Sequence, residues 1–290
     1  DLNLELASFS PKPSLPQAFI TTDLSTRPAR TFVPGKKKEE TFPEFLTLLN
    51  LPSPKIEETK HGTTGRRLAL AKWITSPDNP LSTRVIVNRV WQKHFGQGLV
   101  TTANDFGFLG DPPSHSALLD FLSIYLVEND WKLKSLHRLI MLSDTYGQTA
   151  RQEPSAKAVL KDPQNQLLWR FPPRRLSAEQ IRDAMLFTSG ELKTKSGGSS
   201  VDGNSPHRSV YVKKKRNSPD RILYAFDAPA GFSSSSERLD TTTSTQALLL
   251  RNNPWPHARA QAMAKKFAKS ESTRSTISKI FKSAYGRPAT

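Results

Sequence analysis

Cysteine is absent from the 290 residues. That excludes disulfides, thiolate zinc sites, cysteine nucleophiles and covalent c-type haem attachment within this chain, and it leaves the redox compartment open. No stretch approaches the run of about 18 apolar residues that a membrane-spanning helix needs. The opening residues, from Asp1, lack the charged-then-apolar order of a secretion signal, so the sequence reads as an excised fragment without its address. Also missing are a Walker loop, a dinucleotide fingerprint and a Gly-x-Ser-x-Gly elbow. There is no RNA-recognition sheet motif, zinc-finger spacing or convincing helix-turn-helix. The six histidines show no His-x-x-x-His pair or matching carboxylates, and no metal site is expected. No reaction is legible in these letters.

What is present is an excess of positive charge, unevenly placed. The formal charge is +16. Residues 1–60 carry eight basic and eight acidic side chains, residues 61–150 nine and seven, and residues 151–290 25 and 11. The densest run is Lys213, Lys214, Lys215 and Arg216, with a second cluster at Lys265, Lys266 and Lys269. A rear half of this kind attracts polyanions: nucleic acid, anionic polysaccharide, anionic lipid or an acidic partner domain. A solvated basic face explains the same letters. Tyr211 and Tyr224 are the aromatics interleaved with the run.

Periodicity predicts a mainly α fold, an irregular multi-helix bundle with long loops and a few short β-strands. Residues 1–63, with eight prolines between Pro11 and Pro54, read as an extended arm or linker. It has short β-prone pieces at 18–22 and 31–33, and an apolar stretch, Phe42 to Leu51, suited to docking. Residues 64–290 read as one helical domain, with a subdivision near 151–165 and the basic rear half beyond it. Helices are expected from Gly65 to Trp73, about Ser82 to Phe95, after an N-cap at Ser114, and after Trp131 through His137 to Asp144. In the rear half they are expected after a Ser177–Gln180 capping box, at Asp220 to Phe226, Ser244 to Leu250, Pro254 to Phe267 and Ser272 to Tyr285. Buried stripes are assigned to Val87, Val90, Trp91 and Phe95, to Leu118, Leu122, Tyr125 and Leu126, to Leu136, Leu139 and Ile140, and to Ile181, Ala184, Met185 and Thr188. Residues 151–167 read as loop and Ser209 to Val212 as a strand.

Several strings resemble one bacterial family. Gly65-Arg66-Arg67-Leu68-Ala69, Asn88-Arg89-Val90-Trp91-Gln92, Phe95-Gly96-Gln97-Gly98-Leu99-Val100, Asn104-Asp105-Phe106-Gly107, Leu136-His137-Arg138-Leu139-Ile140, Ile181-Arg182-Asp183-Ala184 and Phe226-Asp227-Ala228-Pro229 occur in the order of domain of unknown function 1553 (DUF1553). The resemblance covers about residues 60–288. It implies the C-terminal part of large exported proteins of planctomycetes and related bacteria. These often carry a domain of unknown function 1549 and a c-type cytochrome module upstream. A periplasmic or cell-surface location and partnership with upstream domains of the same polypeptide follow as expectations. No cofactor is expected in this chain; haem, where present, belongs to the upstream module. The resemblance carries no catalytic residues over.

Candidate site residues are polar groups inside apolar patterns. Arg84 and Asn88, four apart on one helix, read as ligand donors at a cleft or as packing donors to loop carbonyls. Asn104 and Asp105 supply an acid/base carboxylate or form an Asx turn. His137, Met141 and Asp144 share a helical face, but His137 and Asp144 lie about 10 Å apart along the axis, too far for a direct pair. His115 follows the expected N-cap, where a capping-region role suits it. Four of the five tryptophans sit within or directly beside periodic apolar segments, which suits core packing, and Trp255, between two prolines, is the least committed. The leading expectation is a scaffold or binding module that engages an anionic surface, glycan or partner domain through Lys213, Lys214, Lys215 and Arg216. The alternatives are an enzyme on anionic polysaccharide using Asp105, His137 and Arg138, and a non-specific nucleic-acid-binding protein.

Overall fold

The computed structural model describes residues 23, 30–35, 39–49, 51–52, 55–57, 63–151, 155–194, 197–215, 217–229, 231–232, 235–268 and 272–289. The expected strand at 18–22, Arg216 and Lys269 lie outside them. The architecture is mainly α, as the periodicity predicts: eleven helices and two two-residue strands among the described residues. The chain divides into two units, residues 1–83 and 84–290, with the division inside one helix.

In the first unit, β1 (Thr31–Phe32) pairs antiparallel with β2 (Glu40–Thr41). Arg30 donates to both carboxylate oxygens of Glu40, at 2.9 and 2.5 Å. Within the Phe42–Leu51 stretch, the Phe45 ring stacks on Trp73 of α1 (Arg66–Ile74), with centroids 4.8 Å apart. Asp23 accepts from the backbone and hydroxyl of Thr64 and pairs with Arg67. These bonds hold its carboxyl below the ordinary range. Asn79 is fully buried and caps α2 (Pro80–Phe95), accepting from Leu81 and Ser82.

The second unit is built on two apolar centres. The first joins α2 to α3 (Ser116–Glu128) and α4 (Leu133–Met141) through Val87, Trp91, Phe95, Leu122, Leu126, Leu136 and Ile140. Each such side chain contributes about 1.5–3 kcal/mol on burial. The N-cap of α3 is His115, one residue beyond Ser114, and no side chain caps it. The helix expected to run through Asp144 breaks at Leu142. Ser143 then caps a separate turn, α5 (Asp144–Gly147), by accepting from Tyr146. A serine bonding its own backbone two or three residues on competes with helix continuation, so Asp144 does not share a face with His137. A short α6 (Ala156–Lys161), capped by Ser155, occupies the segment read as loop.

The second centre gathers α7 (Ala178–Ser189), α8 (Arg221–Ala225), α9 (Ser244–Asn252) and α10 (Pro254–Phe267) around Ala178, Ile222 and Phe226. α11 (Thr273–Tyr285) packs on α10 and α7. The Ser177–Gln180 capping box forms as expected, and a second joins Thr243 to Gln246. The buried face of α7 is Ala178, Arg182, Leu186 and Ser189, while Ala184 is exposed. The predicted stripe is thus rotated, because its most buried member is a charged residue that apolar periodicity passes over. Ser209–Tyr211 is a 3-10 turn, and Val212 makes only an isolated parallel bridge to Val201.

Candidate functional site

Three polar constellations stand out in the second unit. The first lies where the loop after α2 returns to it. Asn88, fully buried, donates from Nδ2 to the Val100 carbonyl and accepts the Val100 N–H at Oδ1, both at 2.9 Å. Gly98 passes so close that a Cβ there would lie 2.6 Å from the Val100 oxygen and 2.7 Å from Asn88 Nδ2. Asn88 is therefore committed to architecture. Arg84 pairs with Asp120 of α3 at 2.7 Å, and Asn104 accepts from Arg89 at 2.8 Å. Asp105 accepts the Gly107 N–H at 2.8 Å, the Asx turn of the alternative reading. His115 Nδ1 lies 3.0 Å from the Ser114 hydroxyl.

The second constellation is a pair of half-buried imidazoles. His94, in the last turn of α2, places Nε2 2.7 Å from Nδ1 of His137 on α4, so one imidazole donates to the other. Tyr146 stands edge-on to His94, with centroids 5.4 Å apart. Burial, then the His137 and Arg174 charges, pushes His94 below the ordinary imidazole value. Arg138 is exposed. No hydrogen bond or ion pair among the described residues joins Asp105, His137 and Arg138. Nor do three or more His, Asp or Glu side chains gather there in a metal-holding group. Sequence reasoning missed His94: it lies 43 residues from His137, and only the packing of α4 on α2 brings them together.

The third constellation is the basic groove. Lys213 bonds through its backbone N–H to the Val201 carbonyl at 2.8 Å, and Val201 N–H bonds to Tyr211. This fixes the extended segment that carries Lys213, Lys214 and Lys215. The three lysines line two cavities, one of about 400 Å³ with Ser200 and Tyr211 and one of about 110 Å³ with Glu179, Asp220, Leu223 and Tyr224. Lys213 stands 3.8 Å from Asp202. Lys214 and Lys215 have no ion pair among the described residues.

A buried guanidinium, Arg182, holds the loop that leads into this segment. It is fully buried and donates to the carbonyls of His207, Gly203 and Ser205, at 2.9, 2.8 and 2.5 Å, and to the Ser209 hydroxyl at 3.2 Å. Burial lowers its pKa, and Asp183 and Asp220 oppose the shift. Trp255 lies against both Arg182 and Arg259, with guanidinium carbons 5.5 and 4.8 Å from the ring centroid. Its place in the second apolar centre settles the least committed tryptophan as a packing residue.

Among the described residues no helix is long and apolar enough to cross a membrane. The sequence profile of the family described as PSD1, Protein of unknown function (DUF1553), matches residues 66–290. No curated protein and no solved structure matches the chain.

Proposed function

The chain belongs to the DUF1553 family, proteins of unknown function, and on that footing we propose that it is a binding module for polyanions. The observation that carries the proposal is the Lys213–Lys215 groove. Three consecutive cations sit on an anchored extended segment between two cavities, two of them without an acidic partner among the described residues. A cation row with two unpaired members lowers the free energy of a chain of negative groups laid along it, by direct attraction and by release of that chain's counterions. The envelope location and the upstream partner domains implied by the family resemblance belong to the same reading, in which the groove tethers the parent protein to an anionic surface.

Salt dependence tests it. Three lysine contacts give a slope near −2.7 in log affinity against log salt, so binding of a labelled polyanion should weaken about 40-fold between about 50 and 200 mM salt. Replacing Lys213, Lys214 and Lys215 together with alanine should remove most of that slope. Absence of binding, or affinity indifferent to salt, overturns the proposal.

A further inference from the structure

We propose that α11 is an interfacial helix that lies on an anionic lipid bilayer, a contact separate from the Lys213–Lys215 groove. Its packing carries the argument. α11 rests against α10 and α7, yet none of its residues is buried. Ile280 and Phe281 are half-buried alongside Ser275, Thr276 and Ser283, while Ile277 and Tyr285 stand 49 and 68% exposed. An amphipathic helix of a globular domain turns its apolar stripe inward and its polar face to water. On α11 small hydroxyl side chains share the inner side, and large apolar ones face out. Ile277, Phe281 and Tyr285 follow one another at i, i+4 and i+8, so they form one row along the helix. The rings of Phe281 and Tyr285 lie 5.1 Å apart within that row.

The charges around the row choose its occupant. Residues 272–289 carry Arg274, Lys279, Lys282 and Arg287 and no acidic side chain, and all four cations are exposed. The Arg287 guanidinium carbon stands 5.4 Å from the centroid of the Phe281 ring, which sets a cation at the C-terminal end of the row. A basic helix with an apolar row suits the headgroup region of a bilayer: the row enters the acyl boundary while the lysine and arginine stems carry their charges to the lipid phosphates. A nucleic acid or a polysaccharide would meet the cations and leave the row in water. A second copy would set four cations against four. A protein groove that encloses a helix needs access around most of its circumference, and α10 and α7 already occupy one side of α11. A flat surface needs only the side that remains open.

Because the chain has no cysteine, Ile277→Cys gives a single attachment point for an environment-sensitive NBD fluorophore. The labelled chain is titrated with vesicles of phosphatidylcholine alone and of phosphatidylcholine mixed with phosphatidylglycerol. Each cation at an anionic surface is worth about fivefold in partitioning, so the mixed vesicles should bind about a hundredfold more tightly than the neutral ones. NBD emission should brighten and move to shorter wavelength as the row leaves water, and alanine at Lys213, Lys214 and Lys215 together should leave that shift in place. In the unlabelled chain, Ile277→Ser with Tyr285→Ser should weaken cosedimentation with the mixed vesicles about tenfold. A melting temperature matching the parent's shows that the double variant is folded. A shift that appears without lipid and grows with protein concentration would assign the row to a second copy. No shift with the mixed vesicles would leave it to a protein partner, and cosedimentation unchanged in the double variant would place the lipid contact elsewhere on the chain. Each of these overturns the proposal, and none of them decides the groove, which its own salt titration tests.

Discussion

Asn88 and Val100 are joined twice: the side-chain amide of one donates to and accepts from the backbone of the other, at 2.9 Å in each direction. Asn88 and Val100 are both buried, at 0 and 2% exposure. This reproduces one rung of a β-ladder with a side chain in place of a strand. It ties the long loop after α2 to the helix that precedes it, so the loop keeps its shape without regular structure of its own.

Removing the amide leaves a buried N–H and carbonyl at Val100 without partners, at about 1–3 kcal/mol per group. Asn88→Ala should therefore lower the melting temperature by about 10 °C, at about 2–4 °C per kcal/mol for a unit of this size. Gly98→Ala adds a methyl where Asn88 and the Val100 carbonyl already stand, and it should destabilise comparably. Because part of that clash is with Asn88 itself, the double variant should be less destabilised than the sum of the two. Thermal melts of the four proteins measure this coupling, and strict additivity would show that the two positions do not share the contact.

The buried imidazole of His94 makes stability depend on pH. The folded chain depresses the His94 pKa below its ordinary value of 6.5, through burial first and then the His137 and Arg174 charges. The unfolded chain therefore binds the proton more readily, and stability rises with pH across the window from the depressed value up to 6.5. The contribution is fully present above 6.5 and is lost as pH falls through the folded value. Melting curves recorded from about pH 5 to 8 should show this rise, and His94→Gln should flatten it. Parallel curves for the two proteins would sink the assignment.

The helical architecture was legible because its signals are local. The Ser177–Gln180 box, the prolines that open α10 and the Val87–Phe95 stripe each lie within a few residues of the structure they specify. The long-range chemistry was not. His94 and His137 are 43 residues apart, and Arg182 lies off the stripe assigned to its helix, although the carbonyls of residues 203–207 close around it. Ser209 to Val212 has strand composition, yet its partner segment supplies a single bridge residue, Val201. Without a second ladder position the segment settles into a 3-10 turn. The lysine run was visible as charge; its two cavities and the carboxylates beside it required the return of α7 and α8.

Arg182 offers the sharpest link between that packing and the groove. Its guanidinium satisfies three carbonyls and a hydroxyl at once, and Asp183 accepts from both the backbone and the hydroxyl of Ser209. A planar fork with several fixed donors can do this, whereas a lysine ammonium on a flexible stem reaches only part of the set. Arg182→Lys should cost on the order of 3–5 kcal/mol, from carbonyls left buried and unpaired. The loss should be local before it is global, because residues 203–209 lead directly into the turn that positions Lys213. Hydrogen exchange should accelerate at residues 203–213 while amides in α2, α3 and α4 keep their protection. Groove affinity for a polyanion should fall at temperatures where the protein is still folded. Uniform acceleration across both apolar centres would show instead that Arg182 supports the whole unit and not the groove in particular.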